Sequence, residues 1–141
     1  MAELRSLIVV LGDQLDLDAA AFDNFDARLD AVWMAEVAEE STHVWSSKPR
    51  TVMFLAAMRH FALALQTHGR PLHYTRLDAS GNAGSLAAQL RADILRLKPA
   101  RLVMTAPGDW RVLQAIKAVA AARRVTLDIR EDRHFFGTVR E

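Results

Sequence analysis

The sequence predicts an α/β fold, a five-stranded parallel sheet wound in both directions with helices on both faces. Three observations carry this expectation. Short apolar, β-branched runs alternate with segments of helical periodicity along nearly the whole chain, which selects βα units over hairpins. The opening run Leu7-Ile8-Val9-Val10-Leu11 is too short for a helix and apolar throughout, as a strand buried on both faces must be. Right-handed crossovers with a reversal of winding after the third strand then give the order 3-2-1-4-5, a Rossmann-like architecture.

Strand one is followed by Gly12-Asp13-Gln14. Gly12 lets the chain turn without a Cβ, while Asp13 and Gln14 set a carboxylate and an amide at the strand's carboxyl end. In an open parallel sheet that end, beside the point where the winding reverses, is where ligands bind. The stretch reads either as one wall of a pocket or as a polar turn. Residues 16–30 are rich in acids (Asp16, Asp18, Asp23, Asp26 and Asp30) and are anchored by Leu17, Phe22 and Phe25. They read as a loop with at most one helical turn. They lack the Asp-x-Asp-x-Asp-Gly spacing and closing Glu of a calcium loop, so a solvated acidic loop is expected.

Residues 31–37 form the second strand and lead into a polar cluster of Glu36, Glu39, Glu40, Ser41, Thr42 and His43. If strands one and two are parallel neighbours, this cluster faces Asp13 and Gln14 across one crevice. Pro49 opens a helix and Gly69 ends it, with Val52, Leu55, Met58, Phe61 and Leu65 near helical spacing. Arg59 and His60 are adjacent in it and about 100° apart, so both cannot face the core. A third strand spans 71–77, and a Gly/Asn/Ser turn follows. Ser85 caps a helix carrying Leu86, Leu90, Ile94 and Leu97 and stopped by Pro99. A fourth strand covers 101–105, Asp109 caps a helix with Trp110, Ile116 and Val119, and a fifth strand covers 125–129. Residues 131–136, ending in Phe135-Phe136, close the pattern.

A length of 141 residues supports one domain, 1–141. A net charge of +1 gives no electrostatic case for nucleic-acid binding by the domain as a whole. The absence of cysteine excludes disulfides, thiol nucleophiles and thiolate metal sites. No window approaches a membrane span and no signal sequence is recognisable, so a cytoplasmic location without membrane contact is expected.

No Gly-x-Gly-x-x-Gly follows strand one, no phosphate-binding loop occurs and no Gly-x-Ser-x-Gly elbow is present. The histidines lack a paired metal-ligand spacing, so no metal site and no catalytic residue are expected here. Glu36, Glu39 and Glu40 read either as an acid/base group or as a first helical turn complementing a helix dipole. Trp33, Trp45 and Trp110 read as core or interface residues.

The assembled motifs resemble one family. They are Gly12-Asp13-Gln14-Leu15, Met34-Ala35-Glu36-Val37, Glu40, Thr42, Lys48, Ala57-Met58-Arg59-His60-Phe61-Ala62, Pro107-Gly108-Asp109-Trp110-Arg111 and Glu131-Asp132. Together they are similar to the amino-terminal domain of the deoxyribodipyrimidine photolyase-related proteins, the cryptochrome/photolyase branch that includes iron–sulfur (6-4) photolyases. The resemblance covers essentially the whole chain and implies a larger light-dependent DNA-repair flavoprotein. Its carboxyl-terminal catalytic domain, absent from this chain, would carry FAD, an iron–sulfur cluster and the DNA-lesion pocket. DNA would be met only through that longer protein, and the partner of this domain would be that catalytic domain.

Residues 1–141 would be the antenna domain, holding 6,7-dimethyl-8-ribityllumazine in a pocket bounded by Gly12, Asp13, Gln14, Glu36, Glu40 and His43. His43 stands where lumazine-binding relatives often have tyrosine, and Ala106 where an acid is expected before Pro-Gly. Two other classes remain open: a nucleotide or small-metabolite domain of universal-stress type, and a structural interaction domain exposing Arg59-His60 and the Phe135-Phe136 tail.

Overall fold

The computed structural model describes residues 4–12, 14–15, 17, 20–37, 48–76, 82, 84–107 and 110–130. In chain order they form β1 (Ser6–Val9), a 3-10 turn (Ala20–Phe22), β2 (Asp30–Ala35), α1 (Lys48–Thr67) and β3 (Leu72–Thr75). Then follow α2 (Leu86–Leu97), β4 (Arg101–Thr105), α3 (Trp110–Ala122) and β5 (Thr126–Arg130). The five strands make one sheet in the order β3-β2-β1-β4-β5. Every pairing is parallel. This is the architecture and strand order that the sequence predicts.

Successive side chains of a strand face opposite sides of the sheet, which sorts the core into two layers. Ile8, Val32, Met34 and Val103 pack against Met58, Phe61 and Leu65 of α1, with Phe22 of the 3-10 turn beside them. Leu7, Val9, Trp33, Leu102 and Met104 pack against Leu90 and Ile94 of α2 and Ile116 and Val119 of α3. Burying each such side chain contributes on the order of 2 kcal/mol. All four residues of β1 are buried, as a central parallel strand requires.

Polar side chains carried into the core have partners, although the Nε of the half-buried Arg123 has none among the described residues. The Trp33 indole N–H donates to Asp93 Oδ2 at 2.8 Å, and Gln89 Nε2 donates to the same oxygen at 3.1 Å. Arg5 donates to both carboxylate oxygens of the buried Asp30, at 2.9 and 2.6 Å, fastening the start of β1 to the start of β2. Burial alone would raise the Asp30 pKa. The Arg5 fork and the Asp26 N–H outweigh it and hold the carboxyl below its ordinary value.

Helix ends follow the residues that mark them. Ser85 Oγ accepts from the Ala88 N–H at 3.2 Å at the start of α2, and Lys98 ends that helix in the left-handed region. After α1, Gly69 takes φ 71° and the Arg70 N–H donates back to the Leu65 carbonyl at 3.0 Å. The fifth strand starts one residue later than the apolar pattern suggests. Arg124 is left-handed, and the Val125 N–H still donates to the Ala120 carbonyl of α3. The cap proposed for Asp109 and the tail at 131–136 lie outside the described residues.

Candidate functional site

The β1–β2 ladder runs Ser6↔Asp30 to Val9↔Trp33 and adds one more bond, Val10 N–H to the Trp33 carbonyl at 3.0 Å. Continued past its end, this register sets position 12 level with position 36. The chain then turns, with the Gln14 N–H donating to the Leu11 carbonyl at 2.9 Å. The Gln14 side chain crosses to the neighbouring strand end. Its Nε2 donates to the Thr105 carbonyl at 3.0 Å and to the Ala106 carbonyl at 3.3 Å. Gln14 thus ties the end of β1 to the end of β4, the two strands between which the winding reverses. With its amide donors committed there, the remaining polar atom of the side chain is Oε1, an acceptor.

Glu36 sits just past β2 and is buried. Its N–H donates to the Thr75 carbonyl at 2.8 Å, and its carbonyl accepts from Asn82 Nδ2 at 2.6 Å. By alternation it shares the α1 face with Val32 and Met34. There Arg59 meets the carboxylate with a two-pronged fork, Nε to Oε2 at 2.7 Å and Nη2 to Oε1 at 2.8 Å. The Tyr74 hydroxyl of β3 also donates to Oε2. A buried carboxylate needs this much compensation, because an unpaired charge in the interior costs several kcal/mol. The phenol responds in kind: burial, then the bond to Glu36 and its negative charge, push the Tyr74 pKa well above its ordinary value.

Beside this network a groove of about 360 Å³ runs between α1 and β3. Arg59, Ala62, Leu63 and Gln66 line it from the helix, Leu72 and Tyr74 from the strand, and Arg76 from just past the strand's end.

Of the site residues expected from the sequence, Gly12, Gln14 and Glu36 are described. Asp13, Glu40 and His43 lie outside the described residues, as does the rest of the 38–47 segment. The Glu36 carboxylate is engaged by a cation and a phenol inside the protein, and the residues that follow it, 38–47, lie outside the described residues. The choice posed by Arg59 and His60 is resolved: Arg59 turns inward to Glu36, and His60 is exposed. Sequence reasoning missed Tyr74 and Asn82. For Tyr74 the available signal was the sequence's single tyrosine, placed in the alternating third strand.

Among the described residues no cluster of three His, Asp or Glu side chains could hold a metal ion, and no helix is long and apolar enough to cross a membrane.

The model of the deoxyribodipyrimidine photo-lyase-related protein family matches residues 8–141. The chain belongs to that family. It is also similar to a (6-4) photolyase of Agrobacterium fabrum strain C58, with 37% identity over 135 residues. That match takes in 96% of this chain but only 27% of the relative, so the chain spans about a quarter of the length of the curated photolyase it matches.

Proposed function

We propose that residues 1–141 are the antenna-chromophore domain of a light-dependent DNA-repair flavoprotein. The domain would pass excitation energy to FAD in a carboxyl-terminal catalytic region that also carries an iron–sulfur cluster and meets DNA. The observation that carries this reading is the family match along residues 8–141 of a chain that spans only 27% of a (6-4) photolyase. Residues 1–141 then act on DNA only as part of the longer protein, in the cytoplasm.

The chemistry of the strand ends fits a neutral ribityl-lumazine, whose ribityl hydroxyls and ring N–H groups are hydrogen-bond donors. Gln14 offers Oε1, and Asp13 and Glu40 would add carboxylate acceptors. Gly12 would allow the ring to approach the main chain, with His43 bounding the far side. Glu36 would contribute in a different manner. Arg59 and Tyr74 occupy most of its acceptor capacity, so its part is to hold the end of β2 in place with whatever acceptor direction is left over. When bound, the chromophore supplies light absorption. The protein's task is to fix its distance and orientation, which needs rigidity and no covalent step.

Titrating the protein with 6,7-dimethyl-8-ribityllumazine and following its fluorescence tests the reading. Saturable binding below about 100 μM is expected, equivalent to roughly 5.5 kcal/mol. Absence of binding at high micromolar ligand overturns the assignment of a working pocket.

A further inference from the structure

The three helices differ in what they show to solvent. The exposed positions of α2 include Arg91 and Arg96, and those of α3 include Arg111 and Lys117, as expected of helices whose outer faces meet water. Helix α1 does not follow this pattern. Met58, Phe61 and Leu65 are buried in the core, yet the exposed side carries Val52, Met53, Ala56, Ala57, His60 and Leu63. Among the α1 residues whose side chains are described, Gln66 and Thr67 are exposed at its carboxyl end, and the one charged side chain, the half-exposed Arg59, turns to Glu36. The large members stand well out, with Met53 72%, Val52 65% and Leu63 62% exposed. A helix that is apolar on its outer side as well as its core side over several turns is one whose outer side is covered.

The stripe does not stop at the helix. Leu63 is shared with the groove between α1 and β3, and that groove lies along the edge strand of the sheet. In the parallel pairing to β2, the Thr75 carbonyl and the Pro71 carbonyl point inward and accept from Glu36 and Val32. By alternation, Leu72 and Tyr74 turn their backbone groups to the outer edge. The result is an apolar helix face that meets, at Leu63, a groove with a mixed lining (Arg59, Gln66 and Arg76 beside Ala62, Leu72 and Tyr74) and then the strand edge.

We propose that this surface is where residues 1–141 dock onto the remainder of the photolyase-related polypeptide. The inference rests on the reading of the chain as one domain of a longer protein. The occupant is argued from length and chemistry. The matched photolyase devotes only 27% of its length to the segment equivalent to this chain, so most of its mass is available to pack against it. The stripe Val52, Met53, Ala56, Ala57 and Leu63 calls for an apolar partner surface with polar groups at its rim to meet the groove, and Ala56 and Ala57 at the middle of the stripe allow a partner helix to approach closely.

The absence of cysteine from these residues allows a direct test. Leu63→Cys and Ala57→Cys place a thiol in the stripe, and Lys117→Cys places one on the solvent side of α3. Each variant is made both in the full polypeptide and in residues 1–141 by themselves, and maleimide labelling rates are read peptide by peptide. The expected result is labelling at 57 and 63 slowed by at least about ten-fold in the full polypeptide, because interface cores pack as tightly as interiors, with equal rates at 117 in both. Equal rates at 57 and 63 in the two forms overturn the proposal. So does protection that appears already in residues 1–141 and rises with concentration alongside a dimer in sedimentation, which assigns the surface to a second copy. Lumazine titration is independent of all these outcomes, so an exposed stripe in a protein that still binds chromophore refutes the docking surface and leaves the antenna reading intact.

Discussion

Replacing Arg59 with Ala removes the guanidinium fork from the Glu36 carboxylate, and the size of the effect can be worked out from the geometry. The Glu36 side chain is 0% exposed and Arg59 is 40% exposed. Removing one partner of a buried ion pair costs about 3–5 kcal/mol, because the remaining charge is left uncompensated. The half-open side of Arg59 lets water reach part of the vacated space, which places the expected loss near the lower end, about 3 kcal/mol. For a domain of this length that corresponds to a fall in Tm of roughly 10 °C. Urea unfolding followed by far-UV circular dichroism reads the loss as a lower midpoint at unchanged slope. The companion experiment is the double variant Arg59→Met with Glu36→Leu. It is expected to recover most of the lost stability, since neither charge is then buried alone. An Arg59→Ala loss below about 1 kcal/mol, or a double variant as unstable as the sum of its singles, refutes the claim that the pair is coupled through a desolvated carboxylate.

Three further outcomes follow from the same structure. Tyr74→Phe removes one donor to Glu36 and should lower stability by about 1–2 kcal/mol in the same urea assay, less than the loss of Arg59. Ser85→Ala deletes the oxygen that accepts the Ala88 N–H and should cost about 1 kcal/mol, with Ser85→Gly close to neutral. His73 has its pKa lowered from 6.5, first by burial and then by the nearby Arg96, against a smaller opposing pull from Asp93. A folded pKa below the unfolded one means that the unfolded chain binds the proton more readily, so this residue's contribution is present above pH 6.5 and is lost as pH falls towards the folded value. Stability measured from pH 7 to pH 5 should therefore decline less steeply in His73→Gln than in the parent.

The layered fold is legible in the sequence because it rests on composition over short runs. Residues 7–11 and 101–105 are apolar enough that only a strand covered on both faces accommodates them, and the helix between Pro49 and Gly69 is bounded by residues whose backbone preferences mark its ends. The Glu36 network is illegible for the opposite reason. Glu36 lies 23 positions from Arg59 and 38 from Tyr74, and neither period 2 nor period 3.6 says which charged side chains will meet across elements. The sequence does restrict the possibilities, since Arg59 and His60 cannot both face inward, but it contains no term that selects Glu36 as the partner. Trp33 shows the same limit inside the core. Its run is apolar, yet its indole N–H requires an acceptor, and that acceptor is Asp93 on a helix 60 positions away. Gly12 and Gln14 fall between these cases: their place at a strand end is readable, whereas the crossing of the Gln14 amide to β4 depends on which strand lies next to β1.

That division separates binding from stability at the candidate site and makes one position decisive. Gly12 lies beyond the last β1–β2 ladder bond, level with Glu36, and within the turn that Gln14 closes onto Leu11. Gly12 is not among the buried residues that form the two core layers. Gly12→Leu should therefore leave the unfolding midpoint within a few degrees of the parent, the size of change expected for a substitution away from the core. Affinity for ribityl-lumazine should fall by about ten-fold or more, a difference of at least about 1.4 kcal/mol from steric exclusion. Arg59→Ala should behave in the reverse manner, with a large stability loss and, below its own unfolding transition, a modest change in affinity. If Gly12→Leu binds the chromophore as the parent does, the pocket wall is not at the end of β1. If it unfolds the protein instead, Gly12 is a structural turn, the plainer of the two readings its sequence allowed.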